Sequence, residues 1–174
     1  DVMESGYLFR YGDMDDPDFK HKVFTLEKEF ASIMGGNHAL AVTSGSAALM
    51  TSLLAIGLKP GDEVIVPAYT FVATYSSIIF LGGVPVLTEI DKSLNIDPYQ
   101  LEDKITSKTR AILPVHMLGN PADMDAIMSI ARKHDLAVIE DACQATGGSY
   151  KGKRLGIIGD IGAYSFNIFK TITA

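Results

Sequence analysis

"EVIVPAYTFVATYSSIIFLGGVPVLTEI" (63–90) carries the plainest structural pattern in the sequence. It opens on a short apolar run, "EVIVP" (63–67), and passes through a helical stretch, "TFVATYSSIIFLGG" (70–83). It ends on a second apolar run, "VPVLTEI" (84–90). Short apolar runs without polar alternation suit strands buried on both faces. A strand, a helix and a strand in that order read as a βαβ unit and imply a parallel sheet.

The pattern continues on either side. "ALAVT" (39–43) leads into "GSAALMTSLLAIG" (45–57). "RAILPV" (110–115) leads through "NPADMDAIMSIARKH" (120–134) to "LAVIED" (136–141), and "GAYSFN" (162–167) closes the series. "DPYQLEDKI" (97–105) reads as a short helix. Upstream, Phe19, Val23, Leu26, Phe30 and Ile33 recur every three or four residues, an amphipathic helix that "GGN" (35–37) stops. Right-handed crossovers put the connecting helices on both faces of the sheet. The expected architecture is α/β: one three-layer domain with a mainly parallel central sheet over residues 19–174. Residues 1–18 form a polar N-terminal segment. The C-terminal part of the domain is expected to lie outside this segment of sequence.

At 47% hydrophobic and 21% charged, 174 residues are enough for one sizeable core. The net charge of −6 and the lack of a basic stripe argue against nucleic acid and anionic membrane surfaces as partners. No apolar run approaches the roughly 20 residues of a membrane span, and no signal peptide is seen. The single cysteine, Cys143, excludes an intrachain disulfide and fits a reducing cytoplasm.

In open parallel sheets ligands sit beyond the carboxyl ends of the strands. Four groups fall there. Gly45 and Ser46 follow "ALAVT" at a helix start, where unpaired amides and the helix dipole suit a phosphate; an ordinary N-cap on Ser44 reads the same. Tyr69 and Phe71 follow "EVIVP" and offer an aromatic face to a flat ligand, or pack in the core. Glu140, Asp141 and Gln144 follow "LAVI". A carboxylate there can hold a protonated ring nitrogen, or cap a turn, and no metal-ligand spacing accompanies it. Last comes "SFNIFK" (165–170), with Ser165 five residues before Lys170. A lysine among apolar residues either snorkels to water or is kept for its amine.

One ligand unites a phosphate, a flat ring, a basic ring nitrogen and an aldehyde that takes an amine: pyridoxal 5′-phosphate (PLP). It acts as an electron sink, held by a lysine and an acid at the ring nitrogen. The lysine amine then serves as general base for the proton shift.

The series "SGSAAL … GDEVIVPAYTFVAT … GGVPV … EDACQA … GDIGAYSFNIFKTIT" resembles the DegT/DnrJ/EryC1/StrS family of PLP-dependent sugar aminotransferases, from about Leu26 onward. The resemblance implies fold type I, a homodimer with shared active sites, and transfer of an amino group from L-glutamate, or glutamine, to a ketosugar, usually nucleotide-linked. It implies phosphate ligation by Gly45, Ser46 and Ser165, with Ser46 where relatives have Thr. Phe71 then stacks on the ring, Asp141 holds the ring nitrogen, Gln144 lies near the ring hydroxyl, and Lys170 carries the cofactor as a Schiff base. "SFNIFK" departs from the "SFYPTK" of many relatives but keeps the Ser-to-Lys spacing. The resemblance also places the N-terminal segment, residues 1–18, near the active site; Arg10 and Tyr11 in it, and His116, are further candidates for the substrate side, with structural roles open to each. "YKGKRLG" (150–156) reads as a surface hairpin turn.

The alternatives are a transaminase acting on a non-nucleotide octulosonate- or inosose-type sugar, and a PLP-dependent sugar dehydratase. Dehydratase relatives carry His in place of this lysine, so Lys170 argues against dehydration. A nucleotide-binding module would want G-x-G-x-x-G after the first strand, where "SGSAAL" stands. A cysteine desulfurase would want His or Thr before the lysine, where Phe169 stands.

Overall fold

The computed structural model describes residues 2–172. The chain forms two compact units, residues 1–41 and 42–174.

The first unit holds helix α1 (Val2–Ser5) and helix α2 (Lys22–Met34). The periodic apolar set predicts a start near Phe19. The helix instead begins after His21, whose φ of 52° is left-handed. Phe19 is buried against the rings of Tyr7 and His21, at centroid distances of 5.3 and 4.3 Å. On α2 the buried residues are Ala31 and Met34, whereas Leu26 and Ile33 are exposed. Arg10 pairs with Glu27 and also donates to the carbonyl of Ala41 at 2.6 Å. Tyr11 is exposed.

The second unit is built on five parallel strands: β1 (Glu63–Pro67), β2 (Val84–Thr88), β3 (Thr109–Ile112), β4 (Ala137–Asp141) and β7 (Ile161–Ala163), in the order β2-β1-β3-β4-β7. Between β4 and β7 a small hairpin, β5 (Ser149–Tyr150) and β6 (Lys153–Arg154), forms the turn foreseen at 150–156. The strands match the apolar runs because branched residues such as Val64, Ile65 and Val66 are fully buried on both sides of the pleat.

Alternation along the strands divides the core. Val64, Val66, Ala111, Leu113 and Ile139 pack with Leu49, Leu53, Ala73 and Ile78 of helices α3 (Gly45–Ala55) and α4 (Ala73–Phe80). Ile65, Ile112 and Val138 pack with Met124, Ile127 and Ala131 of helix α5 (Met124–Lys133). Each fully buried Leu or Ile contributes about 1.5–3 kcal/mol. The result is the expected three-layer α/β architecture with a mainly parallel sheet.

Two further expectations change. "ALAVT" forms no strand among the described residues; Leu40 and Val42 are exposed there and the run has no ladder partner. The helix expected at 97–105 is two 3-10 turns, Pro98–Gln100 and Glu102–Lys104, the first capped by Asp97 on the amide of Tyr99.

Candidate active site

Asp141 ends β4 and is buried. Strand alternation places it on the side of Ile139, facing α3 and α4. Its Oδ2 accepts from the hydroxyl of Thr74 at 2.9 Å, and its Oδ1 accepts from the amide of Cys143 at 3.1 Å. The Thr74 oxygen lies 2.8 Å from the hydroxyl of Thr70 in the loop before α4, so two threonines feed one carboxylate. Neither threonine stands out in the sequence. The only local signal is their place after β1, Thr70 in the loop and Thr74 in the first turn of α4.

Helix α3 starts beside this carboxylate. Ser44 is its N-cap, accepting from the amide of Ala47 at 3.1 Å, so the ordinary capping role holds. The amides of Gly45 and Ser46 take no protein acceptor among the described residues. Gly45 has little room for a side chain. An added Cβ would stand 3.0 Å from both Cys143 Sγ and Ser165 Cβ, and 3.3 Å from Ser165 Oγ. The helix start, the turn after β4 and the segment after β7 therefore meet at Gly45.

Lys170 closes the cluster. Its Nζ lies 5.6 Å from the centroid of the Phe71 ring, a cation–π distance. Phe71 is 61% exposed, so the ring face is presented rather than packed away. The Lys170 amide donates to the Asn167 carbonyl at 2.8 Å, which closes a turn just after the buried Ser165. Burial, and then the charge of Asp141, push the Cys143 thiol far above its ordinary range, while Lys170 pulls the other way. The thiol is therefore a neutral wall of the site.

Gln144 stands at the margin. Its Oε1 accepts from the amide of Leu118 at 3.2 Å, in the 3-10 turn Met117–Gly119 that follows β3. His116, a candidate for the substrate side, is fully buried, and its Nε2 meets Glu140 Oε2 at 2.9 Å. This sets His116 in the protein interior and takes up the role left open for Glu140.

The structure thus joins Gly45, Phe71, Asp141, Ser165 and Lys170 at the carboxyl ends of the strands, with Ser46 and Gln144 adjoining. No group of three or more His, Cys, Asp and Glu residues suited to a metal ion occurs among the described residues. No described helix is long and apolar enough to cross a membrane.

The GDP-perosamine synthase of Caulobacter vibrioides is 45% identical over 152 residues, 87% of this chain and 41% of that protein. Among solved structures, DesV of S. venezuelae in complex with a ketimine intermediate superposes with a TM-score of 0.85 at 41% identity, over 87% of this chain and 41% of that one. NtdA of Bacillus subtilis with bound cofactor PMP superposes with a TM-score of 0.81 at 41% identity, over 87% and 34%. The chain spans about two fifths of the length of such relatives. A profile of the DegT/DnrJ/EryC1/StrS aminotransferases matches residues 19–174. With that match running over all but the first eighteen residues, the chain belongs to the DegT/DnrJ/EryC1/StrS aminotransferase family.

Proposed function

We propose that the full-length protein is a PLP-dependent aminotransferase that moves an amino group from L-glutamate, or glutamine, to a nucleotide-linked ketosugar. The observation that carries this reading is the convergence of Lys170, the exposed ring of Phe71 and the Gly45–Ser165 contact around Asp141.

The residues fit PLP. The free amides of Gly45 and Ser46 at a helix start, with the hydroxyls of Ser46 and Ser165, suit a phosphate. A Cβ at residue 45 would intrude on that cradle. Phe71 offers a stacking face. Asp141 keeps acceptor capacity beyond its two donors, enough for a ring N–H. Gln144 is the candidate for the ring hydroxyl. When bound, PLP supplies an electron sink at the substrate Cα. Asp141 would hold the proton of the ring nitrogen, Phe71 would cover a ring face, and the Lys170 amine would move the proton at the donor Cα.

The relatives' own activities support a sugar acceptor, nucleotide-linked in the GDP-perosamine synthase. Lys170, where dehydratase relatives carry His, favours amino transfer over dehydration. A homodimer with shared sites, working in the cytoplasm, completes the reading; the lone thiol, Cys143, suits that compartment.

The test is an absorption spectrum of the full-length protein with PLP, before and after L-glutamate, beside Lys170→Ala. The wild type should keep a visible cofactor band through desalting and lose it on adding L-glutamate. The variant should keep no covalent cofactor. A wild type that never retains the cofactor covalently overturns the reading.

A further inference from the structure

Glu140 lies next to Asp141 but serves none of the roles above. It is wholly buried, and a carboxylate in that position costs heavily unless every oxygen is hydrogen-bonded. Here four donors converge on it. Oε2 accepts from His116 Nε2 at 2.9 Å and from the amide of Gly156 at 2.8 Å. Oε1 accepts from the amides of Ile158 and Gly159 at 2.6 and 2.7 Å. These amides belong to the turn before β7. That turn hugs the sheet closely: Gly156 has a φ of +90°, an added Cβ there would lie 2.1 Å from the Tyr164 hydroxyl, and one at Gly159 would lie 2.7 Å from the Val138 carbonyl.

His116 carries the connection to the other side. Its Nδ1 accepts from the amide of Ala122 at 3.2 Å. The ring proton therefore sits on Nε2 and is donated to Glu140, a tautomer assigned from the network. The His116 amide donates to the carbonyl of Asp141 at 3.1 Å. Two residues on, Leu118 meets Gln144.

We propose that the Glu140–His116 pair is the positioning device of the site. It ties the turn before β7 and the turn after β3 to the end of β4, and so sets where Asp141, Gln144 and Lys170 stand. From the Glu140-bound turn the chain runs through β7, whose Ala163 carbonyl accepts from Ala142 at 2.9 Å, straight into Ser165 and Lys170. The inference deepens the PLP reading and rests on it only for the cofactor measurement below.

Glu140→Gln is nearly isosteric but gives up one acceptor oxygen. Whichever oxygen becomes NH2 faces two N–H donors, so the knot cannot close. His116→Gln keeps a donor near Nε2, whereas His116→Phe removes it. The full-length variants are compared with wild type by amide hydrogen exchange without cofactor and by PLP titration followed through protein fluorescence.

In Glu140→Gln, exchange should quicken in 156–159 and extend through 163–170. PLP affinity should fall about 10–100-fold, the scale seen when an outer-shell partner of a bound group is lost. His116→Phe should show the same pattern at 116–122 and 163–170, and His116→Gln should recover most of it. Unchanged exchange at 163–170 in folded Glu140→Gln and His116→Phe overturns the proposal, as does quickening spread evenly over the whole protein. Should Glu140→Gln not fold, the two His116 variants decide: Phe and Gln behaving alike overturns it. If the wild type binds no PLP, the cofactor reading falls and the exchange pattern alone decides the positioning role by the same criteria.

Discussion

Glu140 and Asp141 are neighbours at the end of one strand, and the pleat sends them to opposite faces. Glu140 lies on the α5 side with Val138, fully buried and served by four donors. Asp141 lies on the α3–α4 side with Ile139 and takes two donors, beside Gly45, Cys143 and Lys170. A carboxylate saturated by its own protein has nothing left to give a ligand. One that keeps spare acceptor capacity next to a free amine does. The number of donors, rather than burial, separates the two roles.

The largest effect should come from breaking the Asp141 side. Asp141→Asn keeps the volume and an acceptor for one donor but removes the charge that would hold a ring proton. On the proposed function, kcat of the full-length enzyme should fall about 10²–10³-fold, the usual cost of one preorganised electrostatic partner, with the melting temperature nearly unchanged. A large loss of stability instead would make Asp141 a structural residue like Glu140. Steady-state kinetics beside a thermal melt distinguish the two.

A smaller effect should follow from loosening that carboxylate without touching it. Thr74→Val keeps the shape and removes the hydroxyl that donates to Asp141 at 2.9 Å. A hydrogen bond to a charged group is worth about 1.5–3 kcal/mol, so cofactor affinity should weaken about 10–100-fold, measured by PLP titration. Unchanged affinity would mean that Cys143's amide alone holds the carboxylate in place.

Much of this frame is legible in the sequence. Val64–Val66, Ala111–Leu113 and Val138–Ile139 are buried on both faces, and burial is what an unbroken apolar run reports. The motif residues at the strand ends are legible because chain direction puts the ends of parallel strands on one side. Two things are not. "ALAVT" is apolar enough for a strand, yet strand formation needs a backbone partner, and an apolar run does not say whether one exists. The Glu140 knot is invisible because it joins residues 16 to 24 positions apart, three of them through backbone amides that carry no side-chain signature. An acidic pair closing an apolar strand does hold a hint. Period-two alternation forces its two members onto different faces, so they cannot share one task.

The smallest effect should appear in the acid titration of stability. Burial alone would raise the Glu140 carboxyl, but the His116 hydrogen bond and the amides of Gly159 and Gly156 outweigh it and hold it below the usual glutamate range. A carboxyl depressed in the folded state contributes stability that is present above its unfolded value, about 4.3, and is lost as pH falls through the folded value. Glutamine has no such titration. The urea midpoint of the full-length wild type should therefore exceed that of Glu140→Gln by a margin that is constant near neutral pH and shrinks below about pH 4.3. Protonation gives the carboxyl an O–H where two N–H donors already point, which is the conflict the amide creates at every pH. In acid the wild type thus comes to share the variant's defect, and the two unfolding curves should draw together from the wild-type side. A margin that stays constant into acid would mean that the four donors do not favour the charged form, and that packing alone distinguishes Glu140 from Gln.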